Sequence, residues 1–200
     1  MTEQQRLEHN RAFQEASALI NNEILLHGRP VAWKPGWLLR RKIKRALSLF
    51  DRVLQLNPGN WTAMWLVGKV HQRSRDYVTA LSWFERAYQV NASQANVARE
   101  ASMCAMEIGR HDAAISFAYR ATQIESTNAG LYANLALAYL LAGRVADAQA
   151  NIERSLASDP NDAISKSLRE IIQHFAATGR APPTTTPALQ QYWRESRAAY

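Results

Sequence analysis

Apolar residues fall along this chain at helical spacing. In the segment ALSWFERAYQV, Ala80, Phe84, Ala87 and Tyr88 lie on one helical face. The same arrangement returns at a fixed interval. Ala46, Ala80, Ala114 and Ala148 are 34 residues apart, and Arg52, Arg86, Arg120 and Arg154 keep the same period. The surrounding segments read ALSLFDRVLQLNP, ALSWFERAYQVNA, AISFAYRATQIES and AQANIERSLASDP. Each ends in turn chemistry, such as Asn57-Pro58-Gly59 or Asp159-Pro160, where proline cannot continue a helix and Asn, Ser or Asp caps the next one.

A second helix is predicted before each of the last three segments, over 61–73, 95–108 and 129–142. The links Ser74-Arg75-Asp76, Gly109-Arg110-His111 and Gly143-Arg144-Val145 follow, and glycine there suits a helix stop. The unit is a helical hairpin. The first hairpin is incomplete, because Pro30 and Pro35-Gly36 interrupt the stretch that would hold its first helix. A helix over 3–26, with Phe13, Ala16, Leu19, Ile20 and Ile24 on one face, is expected to take that place and pack on 37–56. Residues 27–36 then form a long connection. Residues 163–177 read as a capping helix with Ile164, Leu168, Ile171, Ile172 and Phe175 on its apolar side.

The unit resembles the tetratricopeptide repeat. The family's small eighth residue is matched by Gly68, Ser102 and Ala136, and its alanine at place twenty by all four alanines of the column. Its bulky twenty-fourth residue is matched by Phe50, Phe84 and Ile152, with Ala118 departing. Its small twenty-seventh residue is matched by Ala87, Ala121 and Ser155, with Val53 departing, and its proline at place thirty-two by Pro58 and Pro160 only. The resemblance covers about residues 37–162. It implies an all-α fold: a right-handed superhelical stack of helix–turn–helix repeats, an α-solenoid, with an N-terminal helix and a C-terminal capping helix. The expected division is 1–36 for the N-terminal helix and connection, 37–162 for the repeats, 163–178 for the cap and 179–200 for a linker and tail.

The resemblance also implies where a partner polypeptide binds, at places two, five, nine, twelve and thirteen of the first helices, which line a concave groove. Those places supply Trp65, Lys69, Gln72 and Arg73 from one unit, and Asn96, Arg99, Met103 and Met106 from the next. The last unit supplies Leu137, Leu140 and Leu141. Such a groove is basic near Trp65 and apolar at the Met and Leu end. It suits an amphipathic helix or an extended peptide with acidic and apolar parts. The Met and Leu set is as well explained by core packing. A Lys/Asn clamp for a terminal carboxylate is not expected, since Trp65, Lys69 and Glu100, or Arg99, Met103 and Asn134, occupy its places.

Composition narrows the function further. Apolar residues make up 47% of the 200, which fits a globular chain rather than a disordered one. Cys104 is the only cysteine, so no intrachain disulfide and no cysteine-based zinc site form, and a reducing, cytoplasmic setting is expected. The polar start MTEQQRLEHN lacks a signal pattern, and the apolar run 131–142 is too short to cross a bilayer. No phosphate-binding glycine motif occurs and the five histidines are scattered, so neither cofactor nor metal is expected and catalysis is not the expected function. His111-Asp112, which has the look of a metal-hydrolase dyad, opens a repeat helix and reads better as a solvated turn.

The net charge of +7 is concentrated at the start, where residues 1–60 hold 10 Lys and Arg against 5 Asp and Glu. Lys34, Arg40, Arg41, Lys42, Lys44 and Arg45, flanked by Trp33 and Trp37, form a basic patch. The favoured function is a protein-interaction scaffold or adaptor. The alternatives are nucleic-acid binding through the basic patch, by phosphate contacts and base stacking, and a secretion-type chaperone. The tail holds a third feature. After the stiff linker APPTTTP, residues 188–200 carry Leu189, Tyr192 and Trp193 at the spacing of a short amphipathic helix. That helix is expected either to fold back into the apolar end of the groove, to enter a neighbouring molecule's groove, or to stay disordered.

Overall fold

The structure, a computed structural model, describes residues 1–21 and 36–198. Among the described residues the regular elements are ten α-helices and no strand. The expected positions of Pro30, Lys34 and Pro35, and the extension of the first helix over 22–26, lie outside the described residues. The chain divides into two compact units, Met1–Ala92 and Ser93–Tyr200.

In the first unit, α1 (Glu3–Asn21) packs against α2 (Trp37–Leu56), and α3 (Trp61–Arg73) forms a hairpin with α4 (Tyr77–Val90). Helix α1 thus packs on α2. Its Ala12, Ala16 and Ile20 are buried with Ala46, Phe50 and Val53 of α2 and Ala63, Leu66, Val67 and Val70 of α3. Phe13 meets Phe50 edge to face, with centroids 6.1 Å apart. The ion pairs Glu8–Arg52, at 2.7 Å, and Glu15–Arg45 lie along the exposed side of the same pair.

In the second unit, α5 (Ala95–Glu107) pairs with α6 (His111–Ile124), and α7 (Ala129–Leu141) with α8 (Val145–Ser158). Helix α9 (Ala163–Thr178) packs on α8 and α7, and α10 (Thr186–Ala198) returns to α5.

The repeat columns map onto packing. Ala46, Ala80, Ala114 and Ala148 are all fully buried, as are Val53, Ala87, Ala121 and Ser155 at place twenty-seven. The arginine column faces outward: Arg52, Arg86, Arg120 and Arg154 are exposed, and Arg86 lies over the Trp83 ring at 4.1 Å. Small residues let helices approach closely. A Cβ added to Gly68 on α3 would stand 2.6 Å from Phe84 Cε1 on α4, so the glycine makes room for the buried ring. At the same place on α5, Ser102 donates its hydroxyl to the Ala114 carbonyl of α6 at 2.9 Å and accepts from the Asn134 amide of α7 at 3.2 Å. One hydroxyl ties three helices together.

The hairpin turns share one geometry. Arg75, Gly109 and Gly143, 34 residues apart, have φ of 60°, 72° and 75°. The left-handed residue lets the next N–H reach back to an otherwise unsatisfied helix carbonyl, as in Arg110 N–H to Ala105 O and Arg144 N–H to Tyr139 O, both at 2.9 Å. In the first unit side-chain caps start both helices of the α3–α4 hairpin, whereas α6 and α8 begin at Arg110 and Arg144 without one. Asn60 accepts from Ala63 N–H at 3.0 Å, and Asp76 from Thr79 N–H at 3.2 Å.

Candidate functional site

The residues expected to meet a partner fall into three structural groups. On α3, Trp65 is half-buried against the core of the first unit, and its indole N–H is enclosed with no hydrogen-bond partner among the described residues. Lys69, Gln72 and Arg73 are half-buried beyond it, and Lys69 Nζ donates to Gln72 Oε1 at 2.7 Å. Lys69, Gln72 and Arg73 fall four, seven and eight residues after Trp65, along one edge of the helix.

The second group is the outer face of α5. Asn96 is exposed, Arg99 half-buried, and Met103 is 42% exposed, a large apolar side chain left in contact with water. Arg99 also draws an acid inward: its guanidinium lies 3.1 Å from the carboxylate of Glu100, which is buried. A buried carboxylate is costly without such a partner. Asn134, at the sixth place of the next repeat, is bonded to Ser102 inside the fold.

The third group falls mostly on the core side of the two readings left open for the Met and Leu set. Met106, Leu140 and Leu141 are closed to solvent, and only Leu137 of the apolar set is half-buried. The reason is the position of α7, which touches α5, α6, α8 and α9. A helix packed on so many sides is apolar around most of its circumference, and its residues become core.

The tail helix α10 is seated in the second unit against α9, on residues other than the Met and Leu set named for the apolar end of the groove. Leu189 is buried, and Tyr192 and Trp193 are half-buried. Tyr192 places its hydroxyl 2.9 Å from His174 Nε2 on α9 and its ring 5.2 Å from Phe175. The Trp193 ring lies 5.5 Å from that of His174. Upstream, His111 Nε2 donates to the Thr184 carbonyl at 2.8 Å, so the strap before α10 rests on the α5–α6 turn. His111 therefore has a structural contact that the solvated-turn expectation lacked.

His174 and Phe175 lie outside the residues expected to meet a partner, since their helix reads in sequence as a cap. The period would have found them. They stand 34 residues after Leu140 and Leu141, at places twelve and thirteen of a fifth first helix.

The basic patch on α2 is exposed at Arg40, Arg41, Lys42, Lys44 and Arg45, with Arg45 paired to Glu15; Lys34 lies outside the described residues. Trp37 beside it is 69% exposed. Cys104 is buried, as expected of a small packing residue. Among the described residues, no three His, Cys, Asp or Glu side chains gather as metal ligands, and no helix is long and apolar enough to cross a membrane.

Profiles of the tetratricopeptide repeat match residues 40–96 and 105–172, between them more than half of the chain. The chain belongs to the tetratricopeptide repeat family. Its helical hairpins resemble solved members of that family. The structure of MamA from residue 41 to its end, from Desulfovibrio magneticus RS-1, aligns with a TM-score of 0.68 at 11% identity, covering 97% of this chain and 94% of that one. The first tetratricopeptide domain of Spaghetti (RPAP3), bound to an HSP90 peptide, aligns with a TM-score of 0.55 at 14% identity over 58% of this chain and 93% of that one. At such identities the likeness concerns fold. In sequence, the 131 kDa subunit of transcription factor tau from Saccharomyces cerevisiae is 28% identical over 68 residues, which is 34% of this chain and only 7% of that protein. Tetratricopeptide repeats build protein-interaction scaffolds, and that general role follows from the family.

Proposed function

We propose that this tetratricopeptide repeat protein is a non-catalytic adaptor, acting in the cytoplasm, that holds a peptide or helical segment of another protein against the first helices of its repeats. The observation that carries this reading is the outer face of α5. Met103 is 42% exposed there, with Asn96 exposed and Arg99 half-buried on the same helix. Methionine adapts to varied apolar partners, while the neighbouring amide and guanidinium orient polar ones. In the other unit, Trp65, Lys69, Gln72 and Arg73 on α3 offer an aromatic surface with cationic ends, suited to acidic and apolar side chains.

A Lys/Asn clamp on a terminal carboxylate does not fit this face. Asn134 is engaged by Ser102, and Glu100 brings negative charge beside Arg99. The HSP90 peptide bound by Spaghetti therefore does not transfer as the ligand here.

Affinity capture from native lysate tests the reading when run with surface variants alongside the wild-type chain. Met103→Asp and Lys69→Glu are each expected to lose a captured protein while keeping the wild-type helical signal and melting temperature. Retention of every captured protein by both variants would refute binding at these faces.

A further inference from the structure

Helix α10 lies on places twelve and thirteen of the fifth first helix, His174 and Phe175, beside the face of α5 on which Asn96 and Met103 stay exposed. Its inner stripe is Leu189, Tyr192 and Trp193, at helical spacings of three and four, while Gln190, Gln191, Arg194 and Glu195 face solvent. The stripe lies against His174 and Phe175 of α9, and the strap before it against the α5–α6 turn. Helices α5 and α9 are the two first helices that flank α7. The chain's own tail thus spans this side of the second unit.

We propose that α10 is a resident, displaceable ligand. The surface on α5 and α9 accepts from a partner an amphipathic helix with a Leu-x-x-aromatic-aromatic stripe, and it does so only in exchange for α10. This deepens the interaction-scaffold reading and rests on it.

One feature makes α10 replaceable rather than a fixed part of the core, and a second sets the competition that an incoming helix must overcome. The Trp193 indole N–H is enclosed with no hydrogen-bond partner among the described residues. A donor left unsatisfied costs stability that a better-matched helix recovers. The helix is also joined to α9 only through residues 179–185, which include Pro182-Pro183. A tether this short keeps the tail at high effective concentration near its own surface, so it competes with any helix arriving from solution. The same tether favours docking in the chain's own unit over docking in a second copy.

The probe is a fluorescent peptide of residues 183–198. It is titrated into the full-length wild-type chain, into a Leu189→Asp/Trp193→Asp chain whose tail is released, and into a milder Trp193→Ala chain. Hydrogen exchange reports release when α10 amides lose protection while α5, α7 and α9 keep theirs. If the double variant disturbs α9 as well, the Trp193→Ala chain supplies the comparison. The released chain is expected to bind the peptide at least ten times more tightly than wild type, and a Leu189→Ala/Trp193→Ala peptide is expected not to compete.

Equal affinity for wild-type and released chains would overturn the exchange while leaving the scaffold reading to its own capture test. No binding to either would overturn the preference for this stripe. A wild-type dimer that dissociates on introducing Trp193→Asp would also overturn it, because α10 would then dock in a second copy.

Discussion

A methyl group at Gly68 would have to share space with the Phe84 ring. The added Cβ would stand 2.6 Å from Phe84 Cε1, 2.8 Å from Cδ1 and 3.0 Å from Cζ. Phe84 is fully buried, so its ring cannot swing into solvent to make room. Two effects oppose each other in Gly68→Ala. Replacing glycine inside a helix gains up to about 1 kcal/mol from intrinsic propensity. Forcing a methyl into a filled core costs about 1–3 kcal/mol. With contacts this short at three ring atoms, the upper part of that range applies and the variant loses roughly 1–2 kcal/mol net.

The repeat itself supplies the rescue. Where Gly68 faces Phe84 in α3–α4, the same places in α7–α8 hold Ala136 and Ile152, both fully buried. A larger eighth residue goes with a smaller twenty-fourth. Gly68→Ala/Phe84→Ile recreates the later pair, and we expect a favourable coupling of about 1 kcal/mol between the two changes. Urea unfolding followed by far-ultraviolet circular dichroism measures both. At a urea dependence of about 2 kcal/mol per molar, Gly68→Ala shifts the midpoint down by roughly 0.5–1 M. A Gly68→Ala chain more stable than wild type, or strictly additive changes in the double variant, would refute the volume-matching argument.

Two smaller changes follow from the turns and caps. Arg75 holds the left-handed conformation that Gly109 and Gly143 hold in later hairpins, so Arg75→Gly should stabilise the chain by about 0.5–1 kcal/mol and Gly143→Ala should destabilise it by about 1 kcal/mol, read as shifts in urea midpoint. Asp162 accepts the Ser165 hydroxyl at 2.6 Å, the Ser165 N–H at 2.9 Å and the Ile164 N–H at 3.3 Å. The Ser165 hydroxyl foremost, with these N–H groups, outweighs partial burial and holds the Asp162 carboxyl below its ordinary value. A lowered folded pKa means that this stabilisation is present above the unfolded value of about 4 and is lost as pH falls through the folded value. Asp162→Ala should therefore cost about 1 kcal/mol at pH 7 and flatten the acid limb of a stability–pH profile; an unchanged limb would remove Asp162 from that account.

What was legible in the chain was whatever the backbone makes periodic. The alanine column is buried at every turn of the repeat because each copy closes the same helix–helix approach. The hairpin helices over 61–73, 95–107 and 129–141 follow from the same spacing, since glycine or a polar link ends each one at the same phase. Which groove places stay open was not legible. Met103 and Met106 look alike in sequence, yet one is 42% exposed and the other 2%. Both lie on α5, so the difference lies in which side of that one helix its neighbours cover, and that is a property of the assembled stack rather than of any one repeat. Arg75 shows the converse: the sequence offers no glycine there, and the turn forms in the left-handed region regardless.

The behaviour of the tail also follows from the period once it is carried one step further. A fifth second helix would begin at Gly179, 34 residues after Val145, and its buried alanine would stand at 182. Position 182 is proline instead, followed by Pro183. Proline removes the backbone N–H and its ring clashes with the preceding turn, so the regular hairpin cannot continue there. Helix α9 stops at Gly179 in the left-handed conformation, and the chain becomes a strap. Pro187 does not prevent the next helix, because it falls in the first turn of α10, where no N–H is required. The interruption thus does two things at once. It leaves α9 without the second helix that each earlier repeat has, and it frees the following segment to turn back towards α5. An amphipathic stripe at that point in the chain is drawn to the apolar and aromatic side chains left on α9, which is where Tyr192 and Trp193 are found. The same reasoning predicts that restoring the repeat, by Pro182→Ala/Pro183→Ala, lengthens α9 or adds helix over 179–185 and draws α10 off His174. Loss of the Tyr192–His174 contact, followed by hydrogen exchange across 186–198, is the expected result. Unchanged protection there would mean that the prolines do not direct the tail.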